Sequence, residues 1–252
     1  MILNHTVDNV RKNIVEDLFD MKTFDAGFTV WRPRIRELAG SVPTAEGILS
    51  LDVHLRDIFK MTGKVGRGQG TLSGGGAAWE ALVCYYLNLC LIGTNSVVIK
   101  KKGMIPKCIR NALTVTYGNV QTNTESDLTC ITLPSDSKLD LSAYSLSGKE
   151  QSLTRLKFLT EECFNEVKIS VIQCKTNWND NSQVPMLWDM IYNVESFEDG
   201  NRIRVGVQNC YLDKANFNYA FVTVPSNKLE TFKPNGLPIR RVAALSGGNY
   251  WG

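Results

Sequence analysis

The sequence predicts an α/β fold, with a mixed, roughly five-stranded central sheet flanked by helices. Three observations lead there. Apolar residues recur at helical spacing through residues 1–60, short β-rich runs begin at residue 96, and helical patterns interleave with those runs as far as residue 225.

The elements follow in order. "TVDNVRKNIVEDLFDM" sets Val7, Val10, Ile14, Val15 and Leu18 on a helical face, with Thr6 as its cap. "TAEGILSLDVHLRDIFKMT" (44–62) is a second helix, weakened by Gly47. "GKVGRGQGTLSGGG" (63–76) is dense in glycine but fits neither GxxxxGK[ST] nor GxGxxG, and no strand precedes it. It reads as a hinge, a plain linker, or a loop whose backbone approaches a ligand. The apolar helix "AAWEALVCYYLNLCL" (77–91) follows, then strands at 96–100, 112–118 and 127–134. A polar loop leads to a helix at 153–164 and to the best strand of the chain, "EVKISVIQCK" (166–175). A helix at 182–197 and strands at 202–209 and 218–225 complete the order. The whole chain, 1–252, is expected to form a single domain with a helical N-terminal region (about 1–62) and a core at about 68–225.

Composition narrows the chemistry. Apolar residues make up 43% and charged residues 21%, which suits a protein with a sizeable core. No apolar run is long enough for a membrane helix, and the first residues become charged too early for a signal peptide, so a cytoplasmic protein is expected. Seven scattered cysteines without a CxxC pair read as buried free thiols. With only His5 and His54, an HExxH site cannot be built; there is no GxSxG elbow either. Chemistry on this chain therefore rests on carboxylates, amides and lysines. The net charge of +3 permits a nucleic-acid partner without demanding one.

The informative stretch is "VIQCK". Alternation along a strand puts Gln173 and Lys175 on one face, continuing Ile169 and Val171, while Cys174 points to the other face. Asp127 opens the preceding strand, and pairing of the two strands would bring it to the same point. Such a trio suits metal-assisted phosphodiester hydrolysis. Mg²⁺ prefers hard oxygen ligands, so Asp127, the Gln173 amide oxygen and a backbone carbonyl such as that of Cys174 can hold it, while Lys175 orients the attacking water. Each residue also has a plain structural role: a snorkelling lysine, an edge amide, a turn aspartate.

These residues resemble the PD-(D/E)xK nuclease superfamily, and in particular type II restriction endonucleases. The resemblance rests on "SD" (126–127), a spacer, and "QCK" (173–175), and covers about residues 68–225. Serine stands where the family has proline, and Gln173 where it has an acid. The resemblance implies a restriction-endonuclease-like fold and assigns Glu80, on the helix that leads into the sheet, a supporting role at the metal; an acid early in a helix is also favoured by the helix dipole alone.

The expected activity is Mg²⁺-dependent, sequence-specific cleavage of double-stranded DNA. The alternatives are a structure-specific repair or recombination nuclease of the same fold, or a non-catalytic DNA-binding protein. Candidate DNA contacts are Asn177, Asn179, Asn181 and Gln183 after the strand, Gln69 in the glycine-dense segment, and Arg240, Arg241 and Asn249 near the C-terminus. The Asn-rich run could equally be a turn with a helix cap, and the terminal Tyr250 and Trp251 a packing anchor. A homodimer is expected, a monomer nicking each strand in turn being the alternative, and a cognate DNA methyltransferase in a bacterial or archaeal host is implied.

Overall fold

Val7, Val10, Ile14 and Leu18 share one face of a helix, and in the computed structural model they are buried along α1 (Thr6–Phe19). The structure describes residues 6–64, 72–117, 119–123, 126–135, 148–178, 203–225, 233, 235–236, 239–240 and 250–251. Asp8 and Arg11 of α1 are also buried and pair with each other. The Arg11 guanidinium donates to the carbonyls of Thr94 (3.1 Å) and Ser96 (2.6 Å), and Asp8 accepts from the Gly93 amide (3.0 Å). These charge-assisted bonds staple α1 to the start of the sheet.

Helix α2 (Lys22–Ala39) carries Phe24, Phe28 and Trp31 toward α5 (Leu72–Cys90), where Phe28 meets Tyr85 edge to face at 5.1 Å. The single helix expected over 44–62 is instead α3 (Ala45–Leu49), α4 (Leu55–Lys60) and two 3₁₀ turns, Asp52–His54 and Met61–Lys64. The break has a local cause. Ser50 Oγ donates back to the Gly47 carbonyl at 3.0 Å and Asp52 Oδ1 accepts from the Val53 amide at 2.7 Å, side-chain bonds that compete with the helical ladder. Phe59 of α4 packs on Trp79 of α5 at 5.2 Å, so α5 is held by aromatic contacts from two helices.

Helix α5 starts at Leu72, inside the glycine-dense segment where a loop was expected; residues 65–71 lie outside the described residues. Beyond it, β1 (Ser96–Ile99), α6 (Lys107–Ala112), β2 (Thr114–Tyr117), β3 (Val120–Asn123), β4 (Leu128–Thr132), α7 (Lys149–Glu162), β5 (Lys168–Trp178), β6 (Ile203–Val205), β7 (Phe217–Pro225) and β8 (Tyr250–Trp251) follow. The fold is mixed α/β. Its main sheet runs β1-β4-β5-β7, with the two-residue β8 at the β7 edge; β1, β4 and β5 are antiparallel neighbours and β5 and β7 parallel ones.

Two strands expected in that sheet sit elsewhere. β2 and β6 join β3 in a separate antiparallel sheet ordered β3-β2-β6. The helix expected over 182–197 lies outside the described residues, as does most of the loop at 135–152. Among the described residues no helix is long and apolar enough to cross a membrane. All seven cysteines are free thiols; four are buried as expected, and Cys90, Cys130 and Cys210 are only partly so.

Candidate active site

Helix α5 is apolar nearly all round, and by sequence Glu80 is its one charged residue. Glu80, Cys84 and Asn88 are spaced four apart and so share a stripe. That stripe runs along the free side of β1. Asn88, 1% exposed, accepts from the Val98 amide (3.1 Å) and donates to the Val98 carbonyl (2.8 Å), and Cys84 Sγ donates to the same carbonyl at 3.4 Å. A side-chain amide thus covers backbone groups that point away from β4, closing an open sheet edge. It also fixes the helix against the strand. Two turns before Asn88, Glu80 meets the Lys100 ammonium, one residue past the end of β1, in an ion pair whose side chains are 22% and 14% exposed.

The second half of the site lies where β4 begins. Leu128 pairs with Ile172, so continuing the antiparallel register by one sets Asp127 across from Gln173. Asp127 Oδ2 accepts from the Cys174 amide at 2.8 Å, extending the ladder with a side chain where the strand backbone has stopped. The expectation that the motif marks a strand end needs correction. β5 continues to Trp178, paired with β7 as far as Trp178↔Pro225 across an irregularity between Thr176 and Trp178. What ends at Ile172 is the partnership with β4. Gln173 and Lys175 therefore occupy a stretch of β5 flanked by β7 but not by β4.

On the β7 side, Gln173 is registered with Phe221 and Lys175 with Thr223. Gln173 is 1% exposed and Thr223 3%, and Thr223 Oγ1 has no hydrogen-bond partner among the described residues. Burial raises the Asp127 carboxyl above its ordinary range; the Cys174 amide opposes that, Glu80 pushes it further up, and Lys175 and Lys100 pull it down. Those influences join the two halves electrostatically: two carboxylates and two lysines at one end of three strands. The Cys174 thiol is buried and held well above its ordinary range, first by burial and then by Asp127 and Glu80, so it is no nucleophile.

The donor set suits a hard dication. Asp127, Glu80 and Gln173 offer oxygens, and a cation beside Asp127 would relieve a carboxylate that burial disfavours. Among the described residues no group of three or more His, Cys, Asp or Glu side chains is assembled for a metal.

The structure brings Asp127, Gln173, Lys175 and Glu80 to one end of the sheet, with the Cys174 backbone between Gln173 and Lys175. Most of the expected DNA contacts lie outside the described residues. Asn177 lies within β5, where a turn had been an option, and its side chain is outside the described residues. Gln69, Asn179, Asn181, Gln183, Arg241 and Asn249 are likewise outside them. Arg240 is exposed, its amide bonded to the Gly236 carbonyl at 3.0 Å. Tyr250 and Trp251 pair with Phe221 and Val222 as an edge strand, which favours the anchoring reading of the C-terminus.

Sequence reasoning missed Lys100 and Asn88. Lys100 was legible only as part of a basic run, but its place directly after the β1 pattern was the available signal. Asn88 signalled itself as the amide on an otherwise apolar helix face. No protein-family model, curated protein or solved structure matches the chain.

Proposed function

We propose that the chain is a Mg²⁺-dependent endonuclease of the PD-(D/E)xK type, cleaving double-stranded DNA at specific sites as type II restriction enzymes do. The observation that carries this reading is the Asp127 carboxylate bonded to the amide in the middle of Gln-Cys-Lys. It unites an acid, an amide and a lysine whose separation in sequence gave no such guarantee. A leading helix, the antiparallel strands β1 and β4 and the motif strand β5 in one mixed sheet are compatible with this reading.

Asp127, Gln173 and Glu80 would hold the metal, which supplies charge stabilisation at the scissile phosphate and a more acidic water. Lys175, half-buried beside Asp127, orients that water and faces the charge that develops on the phosphate. With one such constellation per chain, cutting both strands calls for a homodimer or two successive nicks. A restriction enzyme would act inside a bacterial or archaeal cell beside a cognate methyltransferase.

The test is a plasmid digest. Purified protein with Mg²⁺ should give discrete fragments, and Lys175→Ala should abolish them while DNA binding persists. Undiminished cutting by Lys175→Ala would remove the assignment, and a smear or a preference for branched substrates would move it to a structure-reading nuclease. A non-catalytic DNA-binding protein is favoured by one observation, the burial of Gln173: an amide 1% exposed meets a hydrated ion only after local opening. That reading expects no cleavage with any divalent cation and unchanged DNA binding in Asp127→Asn.

A further inference from the structure

Lys100 puts a cation where the nuclease reading expects a metal ligand to be available. Its side chain is 14% exposed and its ammonium engages Glu80, whose side chain is 22% exposed and is the lone charge of α5. Neither group is placed there by a solvated surface. Asn88 locks α5 to Val98, so Glu80 cannot leave Lys100 by movement of the helix. Any exchange of partners has to happen at the side chains.

Lys100 also lines a second environment. A cavity of about 290 Å³ opens beside it, walled by Ile14, Leu18, Met21 and Met104 and carrying the carboxylates of Asp17 and Asp20. Asp17 is 7% exposed and already holds Lys101 and Lys149; Asp20 makes no ion pair among the described residues. Lys100 both meets Glu80 and lines this cavity, so its side chain of four methylenes can turn toward the opening, where Asp20 is exposed.

We propose that Lys100 is an internal counter-ion of the candidate metal site: it neutralises Glu80 in the metal-free protein, competes with a divalent cation for that carboxylate, and withdraws toward Asp20 when the cation binds. The inference rests on the metal site proposed above. The physical reason is balance. Asp127, Glu80, Lys100 and Lys175 sum to no net charge, so the site is tolerable without metal, whereas two half-buried carboxylates with only Lys175 to offset them would repel each other. The consequence is a weakened affinity for the free cation, because Glu80 has to exchange one positive partner for another. Losing the competitor's attraction for Glu80, even at the dielectric of water, changes the cation's affinity by about five- to tenfold.

The experiment titrates the melting temperature of the full chain with Mg²⁺, and separately with Ca²⁺, in the absence of DNA. Lys100→Gln should reach its half-maximal shift at about five- to tenfold lower cation concentration than the unaltered protein. Lys100→Arg keeps the charge and should stay near the unaltered midpoint. Glu80→Gln should shift the midpoint the opposite way, to higher concentration, and that arm stands even if Lys100→Gln is too unstable to purify. Asp20→Asn should also raise the midpoint, since the withdrawn ammonium loses its second partner. An unchanged or higher midpoint in Lys100→Gln overturns the proposal, as does the lack of any cation-dependent shift in every protein tested. The nuclease reading fails separately: plasmid cleavage with an unchanged Lys100→Gln midpoint sinks only the counter-ion, and a shifted midpoint without cleavage sinks only the nuclease.

Discussion

The two halves of β5 differ in neighbours before they differ in chemistry. From Ile169 to Ile172 the strand lies between β4 and β7, and Ile169 and Val171 are fully buried. From Gln173 to Trp178 it keeps β7 but has no β4 partner. Lys168 and Ser170 are the polar residues of the half paired with β4, Gln173, Lys175 and Thr176 follow where β4 stops, and the vacated hydrogen-bonding position at Cys174 is taken by the Asp127 carboxylate. A stretch with neighbours on both sides is filled mainly by apolar side chains, whereas a one-sided stretch leaves room for more polar ones. On the nuclease reading proposed above, the first half supports stability and the second half the chemistry, and substitutions should separate along that line.

The largest stability effect belongs to the two-sided half. Ile169→Ala should cost about 2–5 kcal/mol in urea unfolding, the range for deleting a buried branched side chain. Lys175→Ala, three registers beyond the last β4 pair, should cost less than about 1 kcal/mol, yet lower cleavage about 10²-fold or more. Equal stability losses in the two variants would dissolve the distinction.

Gln173→Glu sharpens it next. A carboxylate placed 1% exposed across from Asp127 meets both burial and a like charge, so the variant should be about 1–3 kcal/mol less stable at neutral pH, with Mg²⁺ recovering part of the loss. Thermal melts with and without Mg²⁺ decide this. A variant as stable as the original would show that Gln173 does not stand in a carboxylate's place.

A smaller effect concerns pH. Burial raises the folded-state pKa of Asp127 above its ordinary value of 3.8. The folded protein then holds that proton more tightly than the unfolded chain does. The contribution to stability is accordingly greatest below 3.8 and declines as pH rises through the window up to the raised folded value. Asp127→Asn keeps an oxygen for the Cys174 amide and removes the titration, so its melting temperature should fall less with pH across that window and match or exceed the original at neutral pH. A steeper fall in the variant would contradict the burial argument. The smallest effect is a negative one. Cys84, whose thiol burial pushes up to about 12, and Cys174 should resist alkylation in the native protein while reacting after unfolding.

Much of the fold was legible where patterns were long. The α1 stripe, the apolar α5 and the motif strand all occur where periodicity put them, because burial of one face dictates each pattern. The assignment of strands to sheets was not legible. β2 and β6 carry the same β-rich composition as β1, and composition holds no information about which edges meet. The 44–62 helix broke because Ser50 and Asp52 bond to nearby backbone, a contest that apolar spacing does not register. At the site, Asp127, Gln173 and Lys175 could be singled out by residue type and alternation, whereas Lys100 could not, since a lysine in a basic run looks the same whether solvated or paired.

By itself, then, the sequence determined that Gln173 and Lys175 share a face and that Glu80 is alone on an apolar helix; both follow from local geometry with fixed periods. Only the tertiary structure decided that Asp127 reaches the Cys174 amide and that Lys100 meets Glu80. Those contacts depend on strand register and on the Asn88 clamp, which join residues far apart along the chain. No periodicity encodes where a second strand stops.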